Sequence, residues 1–201
     1  DNCGCRPQSR NWHTDDTTGC CWRLFRGNIW SHYHIIIISD IDEIPRKELF
    51  NKEHIPNMIQ QLKENFLSIH QLPRYYFLNY EDSFKWYGSI VISYFNLLQY
   101  TPQIYRNLRP DYGIKIDNGG WHFSYLSSLS DIQLKLKSFS HLEYSTEEFT
   151  NNEKLTRCMN EGLMFFNENI KLRYIPIEEC DLPEYIKQNL DKYKQFIKEQ
   201  P

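Results

Sequence analysis

"IIIISDIDEIP", residues 35–45, is the most telling segment of this 201-residue chain. Four consecutive isoleucines leave none of the polar positions that a surface helix interleaves, so the run reads as a β-strand buried on both faces. Asp40, Asp42 and Glu43 then crowd into four residues before Pro45 closes the segment. In an open α/β sheet, ligands bind beyond the carboxyl ends of strands, which is where Asp40 and Asp42 fall. Two carboxylates two residues apart in extended backbone point the same way. That geometry suits a hard divalent cation, Mg²⁺ or Mn²⁺, which in turn holds a diphosphate. The bland alternative is that Asp40 and Glu43 merely cap the next turn.

Upstream of this strand, residues 1–34 are rich in Cys, Trp, Arg, Gly and Thr with no sustained period, and are expected to form an irregular arm. Cys3, Cys5, Cys20 and Cys21 lie there, spaced C-x-C and C-C. Those spacings differ from the paired C-x-x-C of zinc sites and leave disulfides or free thiols as the reading. Cys158 and Cys180 stand apart from them.

Downstream, the apolar positions Leu49, Phe50, Ile55, Met58, Ile59, Leu62 and Phe66 recur at near-helical spacing, interrupted at Pro56, and predict two short helices. "RYYFLNY" (74–80) and "YGSIVISYF" (87–95) are β-rich, and the polar stretch between them suits a hairpin or longer loop. "NGGWHFSYL" (118–126) reads as a turn into a strand, and residues 132–139 alternate apolar and basic side chains. Ser145 and Glu148 have the spacing of a capping box opening a helix through about Cys158. Asp181, before Leu182-Pro183, starts a C-terminal helix reaching about Glu199. Strands alternating with helices around a buried strand give an α/β or α+β fold.

Length bounds the chain to one domain, residues 1–201, with the arm at 1–34 and the core at 35–201; such a domain buries roughly 70% of its unfolded surface. A net charge of −3 with no dominant Lys/Arg block argues against nucleic acid as a partner. No stretch approaches the ~18 apolar residues of a membrane span.

Two chemistries place an acidic pair after such a strand. A haloacid-dehalogenase-like phosphohydrolase would follow its D-x-D with Thr or Val, where this chain has Ile44 and Pro45, and would need a downstream metal motif that the sequence does not offer. The second is glycosyl transfer from a nucleotide sugar, in which a D-x-D metal neutralises the departing diphosphate. Here "SDIDEIPR", "RYYFLNY", "WYGSIVIS", "PQIYRNLR", "NGGWHFSYL", "SFSHLEY" and "LPEYIKQNLDKY", in this order over residues 35–195, resemble glycosyltransferase family 17. That family includes enzymes adding the bisecting GlcNAc of N-glycans.

The resemblance implies a GT-A-like, Rossmann-like mixed sheet flanked by helices. Only 39 residues precede Asp40, so the fold is expected to be shortened at its N-terminus. It also implies a metal-dependent inverting transferase using Mn²⁺ or Mg²⁺ and a UDP-sugar, with a glycan or glycoprotein acceptor. Asp40, Asp42 and His122 are the implied metal set, with Asp40 also toward the donor and His141 a rival ligand. Arg106 and Arg109 are candidates for the phosphates and Trp121 for stacking on a sugar face. The base that takes the acceptor proton is sought among Glu81, Asp82, Asp117, Glu143 and Glu161, with Asp82 and Asp117 favoured because they flank the best-matched segments. A carbohydrate-binding or structural relative without catalysis is the alternative.

Overall fold

The computed structural model describes residues 21–24, 34–138 and 144–200. Its main sheet contains β1 (Cys21–Leu24), β2 (Ile35–Ser39), β3 (Glu43–Pro45), β4 (Leu67–Tyr75), β5 (Tyr80–Glu81), β6 (Trp86–Ser93) and β7 (Ile114–Ser124). A two-stranded ribbon of β8 (Leu163–Met164) and β9 (Asn167–Lys171) follows, and β10 (Arg173–Tyr174) returns to pair with β5. The helices are α1 (Ile55–Gln61), α2 (Tyr94–Leu97), α3 (Pro102–Leu108), α4 (Leu129–Ser138), α5 (Glu147–Thr150), α6 (Asn152–Glu161) and α7 (Glu184–Lys187).

The isoleucine strand behaves as its composition dictates. β2 lies between β1 and β6, antiparallel to both. Ile36 and Ile38 pack with Phe66, Ile90, Ile92 and Tyr105 on one face, while Ile35 and Ile37 pack with Leu67, Ile69 and Val91 on the other. Each fully buried isoleucine contributes roughly 1.5–3 kcal/mol of transfer free energy. β1 falls within the arm expected to be irregular, so part of that arm adds a strand to the sheet.

Beyond β6 the order continues to β4 and then β7, which runs parallel to β4 and antiparallel to β3. β3 follows β2 after three residues yet pairs on the far side of the sheet. The set β2–β6–β4–β7–β3 therefore curls until its two ends meet at the turn carrying Asp40 and Asp42. The mixed α/β sheet is the expected class, but the Rossmann-like stacking of parallel strands is not clearly present. Among the described residues β4 and β7 are the one parallel pair, and the sheet is nearly closed and barrel-like.

Several boundaries differ from expectation. β4 starts at Leu67, not at Arg74, and ends where Tyr76 adopts a left-handed φ of 61°. Its His, Gln and Pro disguise a strand whose neighbours on both edges bury it. Residues 47–66 do give two short helices, a 3₁₀ turn at Lys47–Phe50 and α1, but Pro56 lies in the first turn of α1, where its missing N–H costs nothing. The alternating stretch at 132–139 falls largely on helix α4. Ile132 and Leu136, four apart, are buried, whereas Leu134 between them is 65% exposed. The cap position before α5 falls on Thr146 and not on Ser145, and α6 is capped by the Asn151 side chain. Asp181 does not open the C-terminal helix either. α7 starts after Pro183, a 3₁₀ segment spans Leu190–Phe196, and Asp181 instead pairs with Arg46.

Candidate functional site

The turn from Asp40 to Glu43 is closed from within. Glu43 N–H donates to the Asp40 carbonyl at 3.1 Å, and Asp40 N–H donates back to Glu43 Oε2 at 2.9 Å. Ile41 stands at its tip, 83% exposed. Glu43 points into the curled sheet, its side chain inaccessible to solvent. There its Oε1 accepts the Trp86 indole N–H at 3.0 Å and lies 3.8 Å from the Arg109 guanidinium. A carboxylate in such a place is kept only by partners of this kind. Around it Gln71 bonds both the backbone N–H and the hydroxyl of Ser89, and Ser39 bonds Ser89 at 2.6 Å. Gly88 leaves room for this network, because a Cβ would stand 1.9 Å from Gln71 Oε1 and 2.7 Å from Glu43 and would displace both side chains.

Residues 41 and 42 form a turn and not extended backbone, and among the described residues the two aspartates are met by different cations. Asp40 is gripped by Arg106 of α3 through two charge-assisted bonds of 2.5 and 2.6 Å. Asp42 accepts from Lys135 Nζ of α4 at 3.0 Å and faces His122 Nε2 at 3.8 Å, an ion-pair distance too long for a hydrogen bond. Burial works to raise the Asp42 pKa, but His122 and then Lys135 outweigh it and hold the carboxyl well below the usual range.

His122 is placed by β7, opposite Glu43 of β3, and its ring stacks on Trp86 with centroids 4.6 Å apart. Its Nδ1 is buried with no hydrogen-bond partner among the described residues. Lys135 Nζ also lies 4.8 Å above the Tyr125 ring, which stacks on Tyr75. The Tyr75 hydroxyl is pushed up to about 12, by burial first, then by the carboxylate of Asp82 and more weakly by that of Asp42. Asp82 and Asp42 thus both act on the Tyr75 hydroxyl. Asp117 is exposed on β7, and its described electrostatic neighbour is His70.

The remaining predicted residues lie in other surroundings. Arg109 is buried, donating to the Gly88 carbonyl at 2.8 Å and facing Glu43, where it braces the sheet. Trp121 is buried with its indole N–H on the Asp181 carbonyl and the Arg46 guanidinium 4.2 Å above its ring, so that face is already covered. Glu81 pairs with the buried Arg74 at 2.9 Å and with Arg173. Glu161 closes α6. His141, Glu143, Cys3, Cys5 and Cys20 lie outside the described residues. Cys158 and Cys180 are buried free thiols. Sequence reading missed Lys135 and Trp86. The first sits in what reads as an alternating segment, and the second gains meaning only from the fold.

Among the described residues no three His, Cys, Asp or Glu side chains gather as a ready-made metal cage, and no helix is long and apolar enough to cross a membrane. Neither a curated protein nor a solved structure gives a match. The sequence model of glycosyltransferase family 17 matches residues 16–198, reaching upstream of the isoleucine strand into the arm. The phosphohydrolase reading gives way to that match. The chain belongs to glycosyltransferase family 17 and is a glycosyltransferase of the GlcNAc-transferring kind, acting between a sugar donor and an acceptor.

Proposed function

We propose that this enzyme moves GlcNAc from UDP-GlcNAc to a hydroxyl of a glycan or glycoprotein, with inversion, on a GT-A-type frame and with Mn²⁺ or Mg²⁺ at the D-x-D turn. One observation carries the reading: the turn at the end of β2 presents Asp42 to His122 and Lys135. The donor set fits such a cation. These ions take one or two carboxylates from a protein and complete their shell with substrate phosphates and water, so the lack of a three-residue cage is no obstacle. Asp42, held ionised and by one exchangeable ammonium, is the direct ligand, while Asp40, pinned by Arg106, lies toward the donor ribose or sugar. Bound there, the ion would neutralise charge on the departing diphosphate.

His122 has the geometry of an orienting group. A metal-ligating histidine uses its second nitrogen to bond an acceptor, and His122 Nδ1 has none among the described residues. A proton on Nε2 instead directs the ring at Asp42. Asp82 is the preferred base: it takes the acceptor proton as the new C–O bond forms at the anomeric carbon and the bond to the UDP oxygen breaks. Asp117, facing His70, is the second candidate.

The test is calorimetric titration of UDP and UDP-GlcNAc with and without Mn²⁺, together with transfer to N-glycan acceptors, for the wild type and Asp42→Ala. Mn²⁺-dependent binding and transfer, both lost in a variant that still folds, are expected. Full activity of Asp42→Ala would sink the proposal, and glycan binding indifferent to Mn²⁺ and UDP-GlcNAc would favour a sugar-binding relative.

A further inference from the structure

The two aspartates of the turn are neutralised in different ways. Arg106 meets Asp40 with both arms of a planar, permanently charged fork, a pairing that engages both oxygens. Lys135 meets Asp42 through a single ammonium on a flexible stem, and its side chain is 40% exposed. A monodentate, part-solvated ammonium is the easier of the two to displace. Lys135 cannot travel far once displaced, because α4 packs into the core through Ile132 and Leu136. Its ammonium would stay within a side-chain length of whatever Asp42 then holds. On one face the Tyr125 ring offers a second resting place for the cation, 4.8 Å away.

We infer that Lys135 is a tethered cation with two successive partners: it competes with the divalent ion for Asp42 and, once exchanged, binds the diphosphate of the donor. The inference rests on the donor reading of the site given above and adds a residue to it. Charge explains both halves. Lys135 offsets the charge of Asp42, so a divalent ion gains little there until the ammonium leaves. The diphosphate supplies the anion that makes its leaving favourable.

The experiment uses the full chain and the variants Lys135→Met, which keeps the stem's length, and Lys135→Arg, which keeps the charge. Mn²⁺ alone is titrated and followed by electron paramagnetic resonance; UDP and uridine are then titrated calorimetrically at saturating Mn²⁺. Lys135→Met should bind Mn²⁺ alone about fivefold more tightly, bind UDP about tenfold more weakly, and bind uridine unchanged. Lys135→Arg should behave as the wild type toward UDP. Opposite signs for metal and nucleotide are the signature, since a variant that had merely lost structure would bind both more weakly. Unchanged or weaker Mn²⁺ binding by Lys135→Met, while the wild type binds UDP, overturns the inference alone. Failure of the Mn²⁺-loaded wild type to bind UDP overturns the donor reading and this inference with it.

Discussion

Glu43→Ala is the most searching perturbation of the fold around the site. The side chain is wholly buried and serves three groups: the Asp40 N–H at 2.9 Å, the Trp86 indole N–H at 3.0 Å and the Arg109 guanidinium at 3.8 Å. Truncation takes the acceptor from two half-buried donors, each costing about 1 kcal/mol, the low end of the range for a buried group. Arg109 keeps the Gly88 carbonyl but loses its carboxylate. Breaking a buried pair by removing one partner costs about 3–5 kcal/mol, and we expect a total in that range because the same atoms are counted in both sums. With a urea m-value of about 2 kcal/mol/M for a domain of this size, the midpoint falls by about 2 M. Glu43→Gln keeps the volume but turns an N–H₂ toward a group that also donates, so about half the loss is expected. Equilibrium urea unfolding followed by tryptophan fluorescence measures both. A loss below about 1 kcal/mol for Glu43→Ala would refute the reasoning, since it would mean the two donors find other acceptors.

Two further outcomes follow from the same structure. Asp42 is held below the ordinary carboxylate range, so its contribution to stability is fully present above the unfolded value near 3.9 and is lost as pH falls below it. The stability gap between the wild type and Asp42→Asn should therefore narrow by about 1 kcal/mol between pH 6 and pH 3 in urea melts; a gap independent of pH would contradict the pairing. On α4, Leu136→Ala should cost about 3 kcal/mol and Leu134→Ala less than about 0.5, read as shifts in thermal unfolding. Equal losses would contradict the helical placement of that segment.

The reach and limit of the sequence can be traced residue by residue. The isoleucine strand was legible because a continuous apolar run has few ways to satisfy itself, and two hydrophobic faces require layers on both sides. His122 and Trp121 were legible as a motif, yet β7 sends them to different places, His122 onto Trp86 and Trp121 beneath Arg46. Helix α4 was obscured because alternation at Ile132, Leu134 and Leu136 contains the i, i+4 pair within it, and only the packing of the first and last tells helix from strand. β4 was misplaced because Gln71 and Ser68 are satisfied across the curled sheet, which no local pattern records.

By itself the sequence determined the mixed α and β composition, the buried isoleucine strand, the acidic cluster at its end and the family. Each of these rests on local composition or on motifs in order along the chain. Tertiary structure alone decided that the sheet curls until β3 meets β7, that Glu43 is an internal brace, and that Asp40 and Asp42 face Arg106 and Lys135. The reason is physical: those pairings join residues 66 and 93 positions apart, and their geometry exists only once α3 and α4 have docked on the sheet.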